Sequence, residues 1–218
     1  MSSFPGSPPL IKSGLVLLDP SDGTVLRVVT LQYNADNLSR TLQIQGAGGE
    51  SGDRMEALRL KGPPIETIKL EAEIDATDQL EFPDNNGLAV EVGIHAQLAA
   101  LETILYPASA QLQSNHDVAA AGALEIVPAT APLTVFVWSR NRVIPVRITE
   151  FSVTEEAFDT QLNPIRAKVS LGMRVLSIND LDFASKGGSL FMVYHQQKER
   201  LAQRAPAGQL TALGIPGI

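Results

Sequence analysis

The side chains best suited to chemistry are few and far apart. Glu71 and Glu73 are two carboxylates two residues apart, the pairing a general acid and base would need. They fall in IETIKLEAEID (65–75), where Ile68, Leu70, Ala72 and Ile74 alternate with Lys69, Glu71, Glu73 and Asp75. Successive side chains of a strand point to opposite faces, so these acids share a polar face and read as a solvated or interfacial surface. His95, His116 and His195 are at least 21 residues apart, and no HxxxH or HExxH spacing draws them to a metal. Gly46-Ala47-Gly48-Gly49 has the glycine content of a phosphate loop. Ser51 stands where the dinucleotide fingerprint needs its third glycine, however, and no Lys follows in Walker spacing. No GxSxG elbow is present, and the absence of cysteine excludes thiolate nucleophiles, disulfides and Cys-ligated metal. The sequence therefore presents no catalytic set, no metal site and no cofactor site.

Charge narrows the partners. The 218 residues carry 17 Lys and Arg against 24 Asp and Glu, a formal charge of −7. That balance excludes a general nucleic-acid binder, which needs surplus cations along a phosphate backbone. Residues 50–91 hold eleven acids and four bases, and the remainder balances at thirteen of each, so the net charge sits in one central block. Arg140, Arg142, Arg147, Arg166 and Lys168 are interleaved with Trp138 and Phe151 but offset by Glu150, Glu155 and Glu156, which favours a protein contact or intramolecular ion pairs over nucleic acid. No positive n-region or long apolar run marks an export signal or a spanning helix, so synthesis and assembly are expected in the cytoplasm, with no direct membrane insertion.

The elements that position these residues are mostly strands. Residues 1–13 read as an N-terminal arm, its first nine residues disordered or docking. Strands are expected at 14–19 and 24–33 around the turn Pro20-Ser21-Asp22-Gly23, and at 41–45, where Leu42 and Ile44 alternate with polar residues. A Gly-rich connection at 46–64 carries a short helical or strand piece at 54–60, and strand 65–75 follows. One central helix is expected next, capped by Asn85 or Asn86, with Ile94, Leu98, Leu101 and Leu105 at helical spacing and Pro107 at its exit. The Ala-, Ser- and Pro-rich stretch 107–131 reads as a loop. Strands return at 134–139, 143–159 and 167–175. Within 143–159 the apolar parity switches between Ile148 and Phe151, which predicts a bulge near Glu150. A helix at 189–204 and an apolar tail close the chain. The fold class is α+β, mostly β: a barrel or sandwich over 14–180 with one central helix, then a C-terminal helix and tail over 181–218.

Three stretches carry a family likeness. LQYNADNLSRTLQIQG (31–46) resembles an F-x-Y/F-N-P-x-x-L-x-R opening, with Ala35 in place of the proline. RMEALRLKGPPIETIKLEAEIDATD (54–78) is similar to a G-P-P-x-E-T-I strand and the acidic strand after it, and WSRNRVIPVRITEFSVTEEAFDTQLNPIRAKVSLGMRVL (138–176) to a V-R-I-x-x-x-S-V-T-E-E-x-F block preceding N-P-I-R-A-x-V. Together they resemble the tube/baseplate protein family of contractile injection systems, which are phage-tail-like particles. Many members of that family end in a LysM module, whereas this sequence ends in a short helix and tail.

The resemblance implies a tail-tube-like barrel core and a non-enzymatic structural subunit, forming a ring where inner tube, spike and baseplate meet. The implied partners are copies of itself, expected as a hexamer, with the inner tube protein, the spike protein and baseplate wedge proteins, in a particle that is released or membrane-anchored. Expected interface residues are Glu71, Glu73 and Asp75, facing Arg140, Arg142 and Arg147 within a protomer or across the ring, and Leu190, Val193, Tyr194 and Leu201 of the terminal helix. For that helix, packing on its own sheet is an equal expectation. The alternatives are an inner tube subunit proper and, in a different class, a small-ligand or carbohydrate-binding domain using Trp138, Tyr33 and Tyr106.

Overall fold

A computed structural model describes residues 11–46, 59–122, 131–206, 208, 212 and 214. The expected arm at 1–10, the Gly-rich loop and piece within 47–58, and most of the tail lie outside the described residues. Seven strands form one sheet: β1 (Gly14–Leu18), β2 (Val25–Thr30), β3 (Leu38–Gln43), β4 (Ile65–Asp75), β5 (Leu133–Ser139), β6 (Arg142–Phe158) and β7 (Pro164–Val175). Their order is β2-β1-β5-β6-β7-β4-β3, with every ladder antiparallel. The helices are α1 (Thr77–Leu80), α2 (Gly87–Val92), α3 (His95–Glu102), α4 (Ser109–Ala120) and α5 (Lys186–Gln203). The α+β, mostly β class stands, but the sheet does not close into a barrel.

It does curl. Gln32, two residues beyond β2, accepts a hydrogen bond from the Asp75 backbone N–H at 2.9 Å and donates to the Asp75 carbonyl at the end of β4. Five strand intervals separate β2 from β4, about 24 Å if the sheet were flat, and one glutamine cannot span that. Asn34 then fastens the incoming chain. Its Oδ1 accepts from the Ser13 backbone and hydroxyl, and its Nδ2 donates to the Ile11 carbonyl.

The inner face is apolar because the β4 and β7 alternations are in phase. Ile68, Leu70, Ala72 and Ile74 meet Ala167, Val169, Leu171, Met173 and Val175, joined by Phe136, Ile144, Val146, Leu98, Leu101 and Phe191. A second cluster joins Leu18, Leu133 and Val135 with Leu181 and Leu190. The predicted bulge is present. The β6–β7 register slips between Ile148 and Glu150, and the extra residue, Thr149, donates its hydroxyl to the Gly172 carbonyl. The slip carries Phe151 and Val153 to the core side.

Two expectations are corrected. The single central helix is broken into α2 and α3 at Gly93, whose φ is +58°. A Cβ there would lie 2.1 Å from the Pro164 carbonyl oxygen, the atom that accepts the Ile94 N–H at 2.8 Å, so the chain must turn sharply to meet β7. Asn86 does precede α2, but its side chain donates to the Phe82 carbonyl instead of capping the helix. The stretch expected as a loop at 107–131 contains α4. Ser109–Ala120 has neither Gly nor Pro, and its alanines, Leu112 and glutamines are good helix formers, which outweighs its loop-like composition.

Gly93→Ala combines a left-handed backbone with a steric overlap, and it should destabilise the protein on the order of 3 kcal/mol in urea unfolding. A loss under about 1 kcal/mol would show that the α2–α3 junction yields to the new methyl group.

Candidate assembly interface

Glu66 is the acid that the strand alternation hides. It shares the inner parity of Ile68 and Leu70, so the fold buries it, with 4% of its side chain exposed. Three donors meet it. Arg40 of β3 reaches Oε1 at 2.6–2.7 Å, Lys198 of α5 reaches Oε2 at 2.8 Å, and the Tyr194 hydroxyl donates to Oε1 at 2.9 Å. Arg40 also donates to the Tyr194 oxygen, and the Lys198 ammonium lies 4.1 Å from the centre of the Tyr194 ring. Burial pushes the Glu66 carboxyl up, but Lys198, Arg40 and Tyr194 outweigh it and hold it below the ordinary value of 4.5. Burial, then the Glu66 charge, raises Tyr194, which keeps its phenolic proton to donate.

The solvent-directed face of β4 is a charge ladder within the protomer. Glu71, Glu73 and Asp75 stand opposite Ser170, Lys168 and Arg166 of β7. Lys168 and Arg166 also bind Glu156 of β6, at 2.8 and 3.3 Å. Lys69 meets Glu150 at 2.7 Å across Gly172, where any Cβ would lie 2.8 Å from that of Glu150. The cations beside the acidic strand are therefore those of β7, not those of 138–147. Arg140 is exposed at the β5–β6 turn, and Arg142 begins β6 half-buried. Arg147 is exposed opposite Arg174. Glu71 and Glu73 are exposed, and Asp75 is half-buried with its carboxylate accepting from the Thr77 N–H.

The terminal helix divides its residues. Ser185 caps it by accepting the Gly188 N–H, Tyr194 is buried, and Leu190 packs against Leu133 and Val135. Packing on its own sheet thus accounts for Leu190 and Tyr194, while Val193 and Leu201 remain exposed. Trp138 lies tilted against Phe136, with ring centres 6.0 Å apart, and packs on the core, whereas Tyr33 and Tyr106 are exposed.

Exposed aliphatic side chains also line both sheet edges. β2 and β3 end the sheet, and no described residue pairs with their outer sides. Val25, Leu26 and Val28 of β2 are more than half exposed, as are Ile44 and Leu60 beside β3, and Leu42 is nearly so. The sequence pattern did not separate these valines and leucines from core residues, because β-branched alternation looks alike at an edge and a centre.

No protein-family model and no curated protein matches the chain. Among solved structures it is similar, at a TM-score of 0.29 and 10% identity, to a chain described as "Tail of empty GTA particle computed with helical refinement, C6 symmetry", over 75% of this chain and 90% of that one.

Glu66→Ala leaves the half-buried Arg40 and Lys198 without their carboxylate and the buried Tyr194 hydroxyl without its acceptor, and should cost about 1–3 kcal/mol in chemical denaturation. Because the folded carboxyl lies below its unfolded value, its contribution is complete above about pH 4.5 and fades as pH falls through the folded pKa. Glu66→Gln should therefore flatten the acid limb of the stability curve. An acid limb unchanged from the parent would remove Glu66 as its source.

Proposed function

We propose that this chain is a non-enzymatic structural subunit of a contractile injection system, assembling with its own copies into a ring at the junction of inner tube, spike and baseplate. The observation that carries the reading is the pair of open edges. β2 and β3 are both six residues long, both have an outer side with no partner among the described residues, and both carry or adjoin exposed aliphatic side chains. An unpaired edge is a row of N–H and C=O groups that another strand satisfies. Exposed large apolar side chains along it mark an interface.

Strand direction is compatible with a ring. Seven strands joined only by antiparallel ladders leave the two outermost strands running the same way. A head-to-tail contact repeated by rotation joins β3 of one copy to β2 of the next as a parallel pair, and it closes when the rotation does. A two-fold dimer would instead pair like edges antiparallel. Continuing the curled sheet in this way builds a wall whose charged face is already compensated within each copy.

The inner tube reading differs in copy number: one ring per particle supports the hub position and many stacked rings support the shaft. Val28→Lys and Leu42→Lys place a charge on one edge each, should leave the circular dichroism of the subunit unchanged, and should abolish rings in negative-stain images. Normal rings from both variants would overturn the edge-joined assembly.

A further inference from the structure

The β6–β7 turn, residues 159–163, presents an exposed leucine from a backbone conformation that the residue disfavours. Leu162 has φ +65°, the sole positive value among the described non-glycine residues, and is 77% exposed. Glycine is the usual occupant of such a position, since a Cβ crowds the left-handed backbone. The turn is nevertheless rigidly built. Asp159 accepts hydrogen bonds from the Gln161 and Asn163 N–H groups and from the Asn163 side-chain amide, which also donates to the Glu91 carbonyl of α2. A rigid frame that holds an aliphatic side chain in water, at a cost in backbone strain, gains nothing within the chain.

An apolar groove of about 460 Å³ lies elsewhere on the molecule, lined by Leu105, Pro132, Leu133, Leu176 and Leu181. Its one charged lining residue is Arg147, which no carboxylate pairs among the described residues. The knob has the opposite sign. Asp159 lies in its turn, and segment 76–92, against which the turn rests, carries Asp78, Glu81, Asp84 and Glu91 exposed and no Lys or Arg. From the groove at Ile148 to the turn after Phe158, β6 runs about 30 Å, so the knob of one copy cannot fill its own groove.

We propose that Leu162 is a docking knob that enters the Leu105–Leu133–Leu181 groove of a second copy of this chain, with the acidic surroundings of the knob facing Arg147. The contact joins two different surfaces, so it propagates head to tail. It is independent of the sheet edges and would link copies whether or not those edges pair.

The absence of cysteine gives a clean background for the test. Leu162→Cys and Leu105→Cys are made in separate full-length chains, mixed and oxidised, with Thr154→Cys, exposed in the middle of β6, as the control. A disulfide forms where Cα atoms approach within about 7 Å, so the 162–105 cross-link should form about tenfold faster than any link to the control. Leu162→Gly should keep or raise the urea midpoint while weakening self-association about tenfold or more in sedimentation equilibrium. Arg147→Glu should weaken it as well, and adding Glu91→Arg should restore it. A 162–105 yield no higher than the control, a predominance of 162–162 links, or parental association by Leu162→Gly would each overturn the proposal.

Discussion

The buried carboxylate of Glu66 is the interaction on which the rest of the molecule is hung. A charge on the apolar face of a central strand is costly unless its oxygens are met by donors, and here the donors come from the edge strand β3 and the terminal helix α5. Residues 40, 66, 194 and 198 thereby become one cooperative unit despite their separation in sequence. A leucine at position 66 would pack into the same face. It would not dictate where Arg40 and Lys198 go, and so would leave the seating of α5 and the direction of β3 less specified. Breaking the set is expensive because the buried Glu66 carboxylate or the buried Tyr194 hydroxyl is left without its partner, which is a different matter from the net stability the set adds.

Around that anchor the surface sorts itself by chemistry. The acids of β4 stand beside Arg166 and Lys168 of β7, so the most acidic strand is compensated by its neighbour. The uncompensated acid is displaced to the α1–α2 segment, where Asp78, Glu81, Asp84 and Glu91 are exposed with no base among them. Among the most exposed aliphatic side chains are Val25 and Val28 of β2, Ile44 and Leu60 beside β3, and Leu162 of the β6–β7 turn. A face that is polar and paired, edges that are apolar and open, and a knob and groove of opposite sign all suit a part made to be joined to copies of itself.

Much of this was legible beforehand where a single period ran unbroken. Strand 65–75 is found at its expected bounds, and the parity switch after Ile148 located a real bulge, because side chains of a strand have no choice but to alternate. The Gly93 break was missed because apolar residues on both sides of it keep a helical spacing, and only the approach of Pro164 demands the turn. α4 was missed because alanine and serine are as common in loops as in helices, so composition there does not decide. Glu66 had a signal that was readable: an acid in phase with Ile68 and Leu70. Which donors would meet it had none, since Arg40 and Lys198 look like any surface cations until the chain is folded.

By itself, then, the sequence determined the class of the fold and the strand whose faces divide oil from water. Those follow from residue type and local period, which act over a few neighbours. Tertiary structure alone decided which strands became edges, which cations neutralised the acidic strand, and that a leucine would stand exposed in a left-handed turn. Each is a relation between residues tens to hundreds of positions apart, fixed by the pairing order of the sheet and by the charge buried at Glu66.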